Sequence, residues 1–307
     1  MEESKHPFVS VIIPVFNDPT RLKLCLAALE NQTYPQSHYE VIVIDNGSHK
    51  QQDIQKVVDQ FGQAKMTEEL TPGSYVARNK GIEVSKGEAI AFTDADCIPE
   101  RDWLEQGIYH LQTTPNCGQV IGKIEIFFFN PQHPTSIELY ESITAFPQQR
   151  LLQQFHAGAT ANVFTWREVI NRVGKFDTQL KSNGDLEWGS RVYAQGYQQV
   201  YSELALVHHP ARRTWQELCT RTQRLAGGNY NLKLKPARSV WQRQIIFLRI
   251  LLQNLIPPVL FGINTFLHAG SLDIGQKLKV SSVMVFVRYI TAWETLRLKL
   301  GALPNRG

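Results

Sequence analysis

The sequence predicts an α/β protein: a doubly wound, mostly parallel sheet flanked by helices, followed by a mainly helical C-terminal extension that is basic and apolar. Three observations lead there. Over residues 8–97, short β-branched runs alternate with amphipathic stretches at the spacing of strand–helix–strand units, which favours parallel strands. Carboxylates stand directly behind those runs. The charge is divided along the chain: residues 1–210 hold 17 basic and 25 acidic side chains, and residues 211–307 hold 15 and 3. Such asymmetry points to different partners for the two parts.

Val9-Ser10-Val11-Ile12-Ile13-Pro14-Val15 reads as a buried strand. Asp18 to Thr20 offers capping chemistry for a helix over Arg21–Gln32, whose Leu22, Cys25, Leu26 and Leu29 share one face. Val41–Ile44 is a second strand, stopped by Asp45-Asn46-Gly47-Ser48. Asp53–Phe61 reads as a helix. Pro72-Gly73 turns the chain into another, Val76–Ser85, and Ala89–Thr93 is a third strand ending at Asp94-Ala95-Asp96. Beyond residue 100, the pattern predicts a helix over Trp103–Gln112, a strand over Val120–Phe129 and a helix over Ser136–Gln153. A small-residue turn follows at Ala157–Thr165, then helices over Trp166–Val173 and Leu186–Gln195. Short strands are expected at 199–201 and 205–207. The expected domains are 1–215, with halves 8–100 and 101–215, and a helical region 216–307.

Composition excludes several classes. With 307 residues, 43% hydrophobic and 20% charged, the chain is not disordered, a disulfide scaffold, collagen-like or multi-spanning. The net charge of +4 averages over two unlike regions. Cys25, Cys97, Cys117 and Cys219 form no CxxC pattern and read as reduced thiols of a cytosolic protein. Met1–Pro7 lacks the apolar segment of a signal peptide. The longest apolar stretch, Ile245–Leu267, is interrupted by Arg249, Gln253, Asn254, Pro257 and Pro258. No nucleic-acid partner is expected.

In an open parallel sheet, ligands bind beyond the carboxyl ends of the strands. Asp45, Asp94 and Asp96 all occupy that position, so they point to one crevice. Asp and Asn are also ordinary turn residues, but the shared register favours a site. The Asp94-x-Asp96 pair suits a hard divalent cation such as Mg²⁺ or Mn²⁺, which uses one or two carboxylates together with substrate phosphates. No GxxxxGK[ST] run is present and no GxGxxG follows the first strand, which argues against a P-loop enzyme and a dinucleotide-binding dehydrogenase.

Four motifs now line up: Val11-Ile12-Ile13-Pro14-Val15-Phe16-Asn17, Val43-Ile44-Asp45-Asn46-Gly47-Ser48, Ala77-Arg78-Asn79-Lys80-Gly81 and Phe92-Thr93-Asp94-Ala95-Asp96. In order and spacing they resemble the family 2 glycosyltransferases of the GT-A fold, over roughly residues 8–215. The resemblance implies transfer from a nucleotide-diphosphate sugar. It puts Pro14, Phe16 and Asn17 along the nucleoside, Asp45 at the base, and Arg78 with Asn79 at the base or ribose. Asp94 would reach the ribose through the Asp94-Ala95-Asp96 loop, and Asp96 would hold the metal.

Gly184-Asp185-Leu186-Glu187-Trp188 opens a predicted helix. It resembles the family's acceptor-side Glu-Asp motif, with Gly184 standing where Glu is usual. Asp185 then matches the general base, with Glu187 in reserve and Trp188 beside the acceptor. An acceptor hydroxyl needs such a base. Attack opposite the departing diphosphate inverts the anomeric centre, as the family implies. His209, in His208-His209-Pro210, matches a metal or diphosphate contact better than His208. Arg212, Arg213, Arg221 and Arg224 offer forked contacts to donor phosphates. Ala157–Asn162 resembles the acceptor-proximal loop, which puts Gly158 and Asn162 near the acceptor.

In the tail, Val283, Phe286, Ile290, Trp293, Leu296 and Leu300 recur at helical spacing among Arg288, Arg297 and Lys299. Two readings stand: a helix packed on a core, or an interfacial helix on an anionic leaflet. The expected function is an inverting, metal-dependent glycosyltransferase. It would serve surface polysaccharide or glycolipid assembly, with a saccharide or lipid-linked acceptor, peripheral or monotopic on the cytoplasmic face of a membrane. Alternatives are a metal-dependent nucleotidyltransferase and a non-catalytic membrane adaptor; the first normally wants a Gly-rich basic loop after the first strand, where Phe16-Asn17-Asp18-Pro19 stands.

Overall fold

The computed structural model describes residues 6–180, 182–234, 237–270 and 272–302. Most of the polar start, Met1–Pro7, therefore lies outside the described residues. Two compact units emerge. The first comprises the chain up to Glu125, Phe146–Thr178 and Gly184–His209; the second comprises Ile126–Ala145, Gln179–Asn183 and the chain from Pro210 onward. Residues 126–145 thus join the C-terminal helices, although the sequence groups them with the catalytic half.

The opening strand β1 (Val9–Val15) leads to α1 (Pro19–Glu30). Asp18 caps that helix, its carboxylate accepting from the Arg21 amide, and Pro19 fills a first-turn position that needs no amide proton. Strand β2 (Tyr39–Asp45) follows, then the short helix α2 (Ile54–Val58) capped by Asp53. Next comes β3 (Ala64–Glu68), a strand that the polar run Ala-Lys-Met-Thr-Glu concealed. Helix α3 (Ser74–Val84) leads to β4 (Ala89–Thr93).

These four strands are parallel, in the order β3-β2-β1-β4, with Val15 of β1 beside Asp45 of β2. Residues on β1 alternate between two cores: Val9, Val11, Ile13 and Val15 pack with α1 on one face, and Ile12 packs with Tyr75, Ala77 and Ile82 of α3 on the other.

The remaining strands are β5 (Ile98–Pro99), β6 (Cys117–Phe127), β7 (Asn162–Trp166) and β8 (Gln198–Pro210). They make the sheet mixed: β7 is antiparallel to β4 and to β6, and β5 is antiparallel to β8. The two short strands expected at 199–201 and 205–207 are one strand. Helix α4 (Trp103–Thr113) buries Trp103 and Leu104. The single helix expected over 136–153 is two, α5 (Ser136–Thr144) and α6 (Gln148–Phe155), because Pro147 supplies no amide proton to continue the first. Helices α7 (Arg167–Val173) and α8 (Gly184–Ala194) complete the first unit.

In the second unit, α9 (Trp215–Leu234), α10 (Val240–Leu255), α11 (Val259–His268) and α12 (Ile274–Lys299) join α5. Helix α12 is the hub: it packs against α5, α9, α10 and α11. Val280 and Val283 meet Ile137, Tyr140 and Leu218 in a common core. Its basic residues have structural work, since Arg288 donates to the carbonyls of Gln253 and Ile256 at the end of α10, and Arg297 pairs with the fully buried Glu294. Of the apolar residues read on the tail, Val283 is packed in this core and Phe286 and Ile290 are partly buried, whereas Trp293, Leu296 and Leu300 are exposed.

Candidate active site

The ends of β1, β2 and β4 bring the expected donor-side residues together. Beyond β1, Asn17 adopts a left-handed backbone, φ +54°, so that its amide donates to Ser48 Oγ (2.8 Å) while its side chain accepts from the His49 amide (2.8 Å). Asp45 accepts from the Ser48 amide (2.9 Å), and Asn46 accepts from the amide of Gly73, which precedes α3. The loops after β1, β2 and β3 are thereby tied together. Phe16 stays exposed beside the His49 ring, and Pro14 is half-buried at the end of β1.

Helix α3 serves two sides of this arrangement. Three residues apart, one turn of helix, Tyr75 and Arg78 reach separate carboxylates. Buried Arg78 donates from Nη2 to Asp94, while its buried Nε has no hydrogen-bond partner. The Tyr75 hydroxyl donates to Asp185 Oδ1 (3.1 Å) near the start of α8. Asp185 also accepts from the amides of Leu186 and Thr160. Protein surrounds it, though part of its surface reaches solvent. That desolvation lifts its pKa above the usual carboxylate range, against the opposing pull of Arg78 and of its hydrogen bonds.

Strand β8 pairs with β5 so that Ile98 lies opposite His208, and this brings the next histidine to the Asp94-Ala95-Asp96 loop. His209 is buried, its Nε2 lies 3.3 Å from Asp96 Oδ2, and its ring packs on Phe146. His208 instead engages Glu100 (2.6 Å), a hydrogen bond that lowers the glutamate's pKa. Two buried thiols line the back of the loop, with Cys25 Sγ 3.7 Å from the Asp94 carbonyl. Burial, reinforced by Asp96 and Asp94, pushes the Cys25 and Cys97 thiols up, so both stay protonated at neutral pH.

Several expected contacts have other tasks. Asn162 is fully buried, with Nδ2 donating to the Lys123 and Ala205 carbonyls (2.7 Å each) and Oδ1 accepting from Trp103 Nε1 (2.8 Å). It pins the sheet from a fully buried position, with both amide hydrogens committed to carbonyls. Gly158 is small for packing: a Cβ there would sit 2.5 Å from Ile121 Cγ2. Trp188 is core, its indole donating to the Gly174 carbonyl (2.9 Å). Both ends of the Asn79 amide bond the backbone of Phe176 (2.9 and 3.1 Å), which moors that residue to α3. Glu187 grips Arg191, whose guanidinium in turn holds the carbonyls of Val173 and Lys175. Arg212, in the second unit, pairs with the fully buried Glu141 (3.0 Å), which Arg221 also approaches (3.5 Å).

Tyr75, Thr160, Glu100 and Phe146 were missed from sequence. Tyr75 was legible in part, because it lies three residues before Arg78; starting the helix at Val76 left it in the turn.

The Glycosyl transferase family 2 model matches residues 10–174, more than half of the chain. The chain belongs to glycosyltransferase family 2. It is 34% identical over 293 residues to glycosyltransferase AglE of Haloferax volcanii, an alignment covering 94% of this chain and 92% of AglE. It is 28% identical over 242 residues to probable glycosyltransferase YdaM of Bacillus subtilis, covering 75% of this chain and 57% of YdaM. Among solved structures it resembles mannosyltransferase PcManGT from Pyrobaculum calidifontis, in complex with GDP-Man and Mn²⁺, with TM-score 0.64, 17% identity and coverage of 96% and 89%. GalNAc-T7 with UDP, GalNAc and Mn²⁺ is a second fold neighbour, at TM-score 0.56, 17% identity and coverage of 73% and 48%. This family 2 glycosyltransferase therefore has the GT-A fold and is an enzyme of sugar transfer.

Proposed function

We propose that this glycosyltransferase moves a sugar, with inversion, from a nucleoside-diphosphate donor to a hydroxyl acceptor, with Asp185 as general base. The observation that carries the reading is the pair of contacts from one turn of α3: Tyr75 to Asp185 and Arg78 to Asp94. They link a desolvated carboxylate suited to proton abstraction with the loop suited to the donor. Asp185 takes the proton of the acceptor hydroxyl. The freed oxygen bonds to the anomeric carbon as the bond from that carbon to the diphosphate breaks, and the nucleoside diphosphate departs. Phe16, exposed between the loops, offers a ring face to a nucleobase, with Pro14, Asn17 and Asp45 around it.

Among the described residues, no three His, Cys, Asp or Glu side chains converge as a complete metal site. The Asp96 carboxylate and the His209 imidazole nevertheless form an O,N donor pair that would fit a divalent cation shared with donor phosphates. Mg²⁺ or Mn²⁺ held there would offset the charge developing on the diphosphate. Asp94, tied to Arg78, orients the loop. A panel of nucleotide-sugars tested for thermal stabilisation should yield at least one that stabilises the protein with Mn²⁺ or Mg²⁺ and loses the effect with chelator; a panel with no such donor would defeat the reading.

The second unit supports a membrane-facing role. Trp241, Ile245, Leu248, Leu252 and Leu255 recur at three- and four-residue spacing on α10, and all five are exposed. On α11, Leu260 is 83% and Leu267 71% exposed. Arg238, Arg243, Arg249 and Lys279 are exposed nearby in sequence. Among the described residues no single helix is long and apolar enough to cross a membrane, although α10 and α11, bent by 52°, meet that measure together. Apolar stripes with basic residues suit an anionic lipid surface, and the acceptor is then a saccharide or lipid-linked sugar in surface polysaccharide or glycolipid assembly at a cytoplasmic membrane face. At low salt the enzyme should co-sediment with anionic vesicles, and Trp241→Glu with Leu260→Glu should reduce that binding at least about tenfold, since each removes an exposed apolar side chain that would enter the lipid. Enzyme remaining in the supernatant would rule the proposal out.

A further inference from the structure

Gly184 stands where the resemblance led us to expect Glu, and the packing around it explains the departure. A Cβ on Gly184 would lie 2.7–2.9 Å from three atoms of the Tyr75 ring. The phenol therefore occupies the space into which a side chain at position 184 would grow. Its ring is held there by Phe176, stacked at 5.6 Å between centroids, and Phe176 is moored by Asn79. Arg78 lies over the same ring, 5.8 Å from its centroid. Tyr75 is only 6% exposed, yet its hydroxyl ends on Asp185 Oδ1.

We infer that Tyr75 is the positioning residue of the catalytic base: its hydroxyl holds the Asp185 carboxylate in one rotamer and in its ionised form, in place of a side chain at position 184. The inference rests on Asp185 being the base. A buried donor that bonds a carboxylate stabilises the charged state more than the neutral one. Burial, with Asp185 nearby, raises the phenol's own pKa, so it remains a donor throughout the working range. Around Asp185, Tyr75 and Arg78 come from α3 and the Thr160 amide from the loop before β7, while Leu186 contributes only its own amide. Glu187, on the same helix, is engaged by Arg191.

The test is the pH profile of kcat/KM for Tyr75→Phe, which keeps the ring, with Asp185→Asn as companion. Without the hydroxyl the carboxylate loses a stabilising donor, so the acidic limb moves to higher pH. The kcat at neutral pH falls about tenfold to a hundredfold, the range of one hydrogen bond to a charged group. The donor KM stays within about twofold, because no donor contact is altered. If Asp185→Asn abolishes transfer but the Tyr75→Phe profile superimposes on the parent, Tyr75 does not position the base. If Asp185→Asn transfers normally, the base assignment itself fails and this inference falls with it.

Discussion

Asp185→Asn will bind the nucleotide-sugar as the parent does and will lose about 10²–10⁴-fold in kcat, the usual contribution of a positioned general base. It will also be more stable at neutral pH. The sign follows from desolvation: the Asp185 pKa is higher in the folded protein than in the unfolded chain. The carboxyl therefore favours folding at pH values below its unfolded pKa and loses that contribution as pH rises through its folded one. Asn carries no charge to desolvate and keeps one side-chain carbonyl that can accept from Tyr75 and Leu186, at the loss of the bond from the Thr160 amide, a smaller cost than burying the charge. The melting temperature of the variant should exceed the parent's at neutral pH, and the difference should shrink on acidification. Near-normal turnover would remove Asp185 from the role. An unchanged or lower melting temperature at pH 7 would contradict the desolvation argument. A catalytic group that costs stability is a common exchange at active sites.

Asp96→Ala should remove metal-dependent nucleotide binding. Titration calorimetry with the nucleoside diphosphate and Mn²⁺ should show affinity at least about a hundredfold weaker, or about 2.7 kcal/mol. In metal-free buffer any residual nucleotide affinity should match the parent's. Affinity undiminished in Mn²⁺ would sink the assignment of Asp96 and His209. The neighbouring carboxylate is a different case. Asp94 neutralises Arg78, a buried guanidinium whose Nε already lacks a partner. Its removal would act through the loss of that charge balance, which is why Asp96 is the cleaner probe of the metal.

The first half of the catalytic unit was legible because its signals are local. Runs such as Val9–Val15 and Ala89–Thr93 are apolar but for Ser10 and Thr93, as suits strands covered on both faces. Their ends carry Asp45, Asp94 and Asp96 in one register. The polar strand β3 was not legible: Lys65 and Thr67 alternate with Met66 too briefly to give a period, and pairing with β2 decides the matter. The acceptor side was harder for the same kind of reason. Asn162, Gly158 and Trp188 share motif positions with the expected acceptor contacts, yet the Asn162 and Trp188 side chains are bonded to Trp103 and Gly174, and Gly158 packs against Ile121 with no room for a Cβ. A sequence lists an Asn and its neighbours along the chain; it does not list the carbonyls of Lys123 and Ala205 that saturate it.

The tail divided in the same way. The apolar period of α12 was correctly read as a helix, but a helix of that pattern is equally suited to a protein core and a lipid surface. Contact with α5, α9, α10 and α11 buries Val280, Val283 and Ala292 of that helix, while Trp293, Leu296 and Leu300 stay exposed, as do the stripes on α10 and α11.

What the sequence by itself determined, then, is the family, the parallel half of the sheet, the carboxylates at its strand ends and the charge boundary near residue 211. Each is written in short-range patterns of β-branched runs, turns and charge. Only the tertiary structure decided that Tyr75 reaches Asp185 across 110 residues, that Asp96 meets His209, and that Asn162 is fully buried against Trp103 and two carbonyls. Those outcomes depend on which groups remain unpaired once long-range neighbours have been brought into hydrogen-bonding distance, and local periodicity carries no record of that.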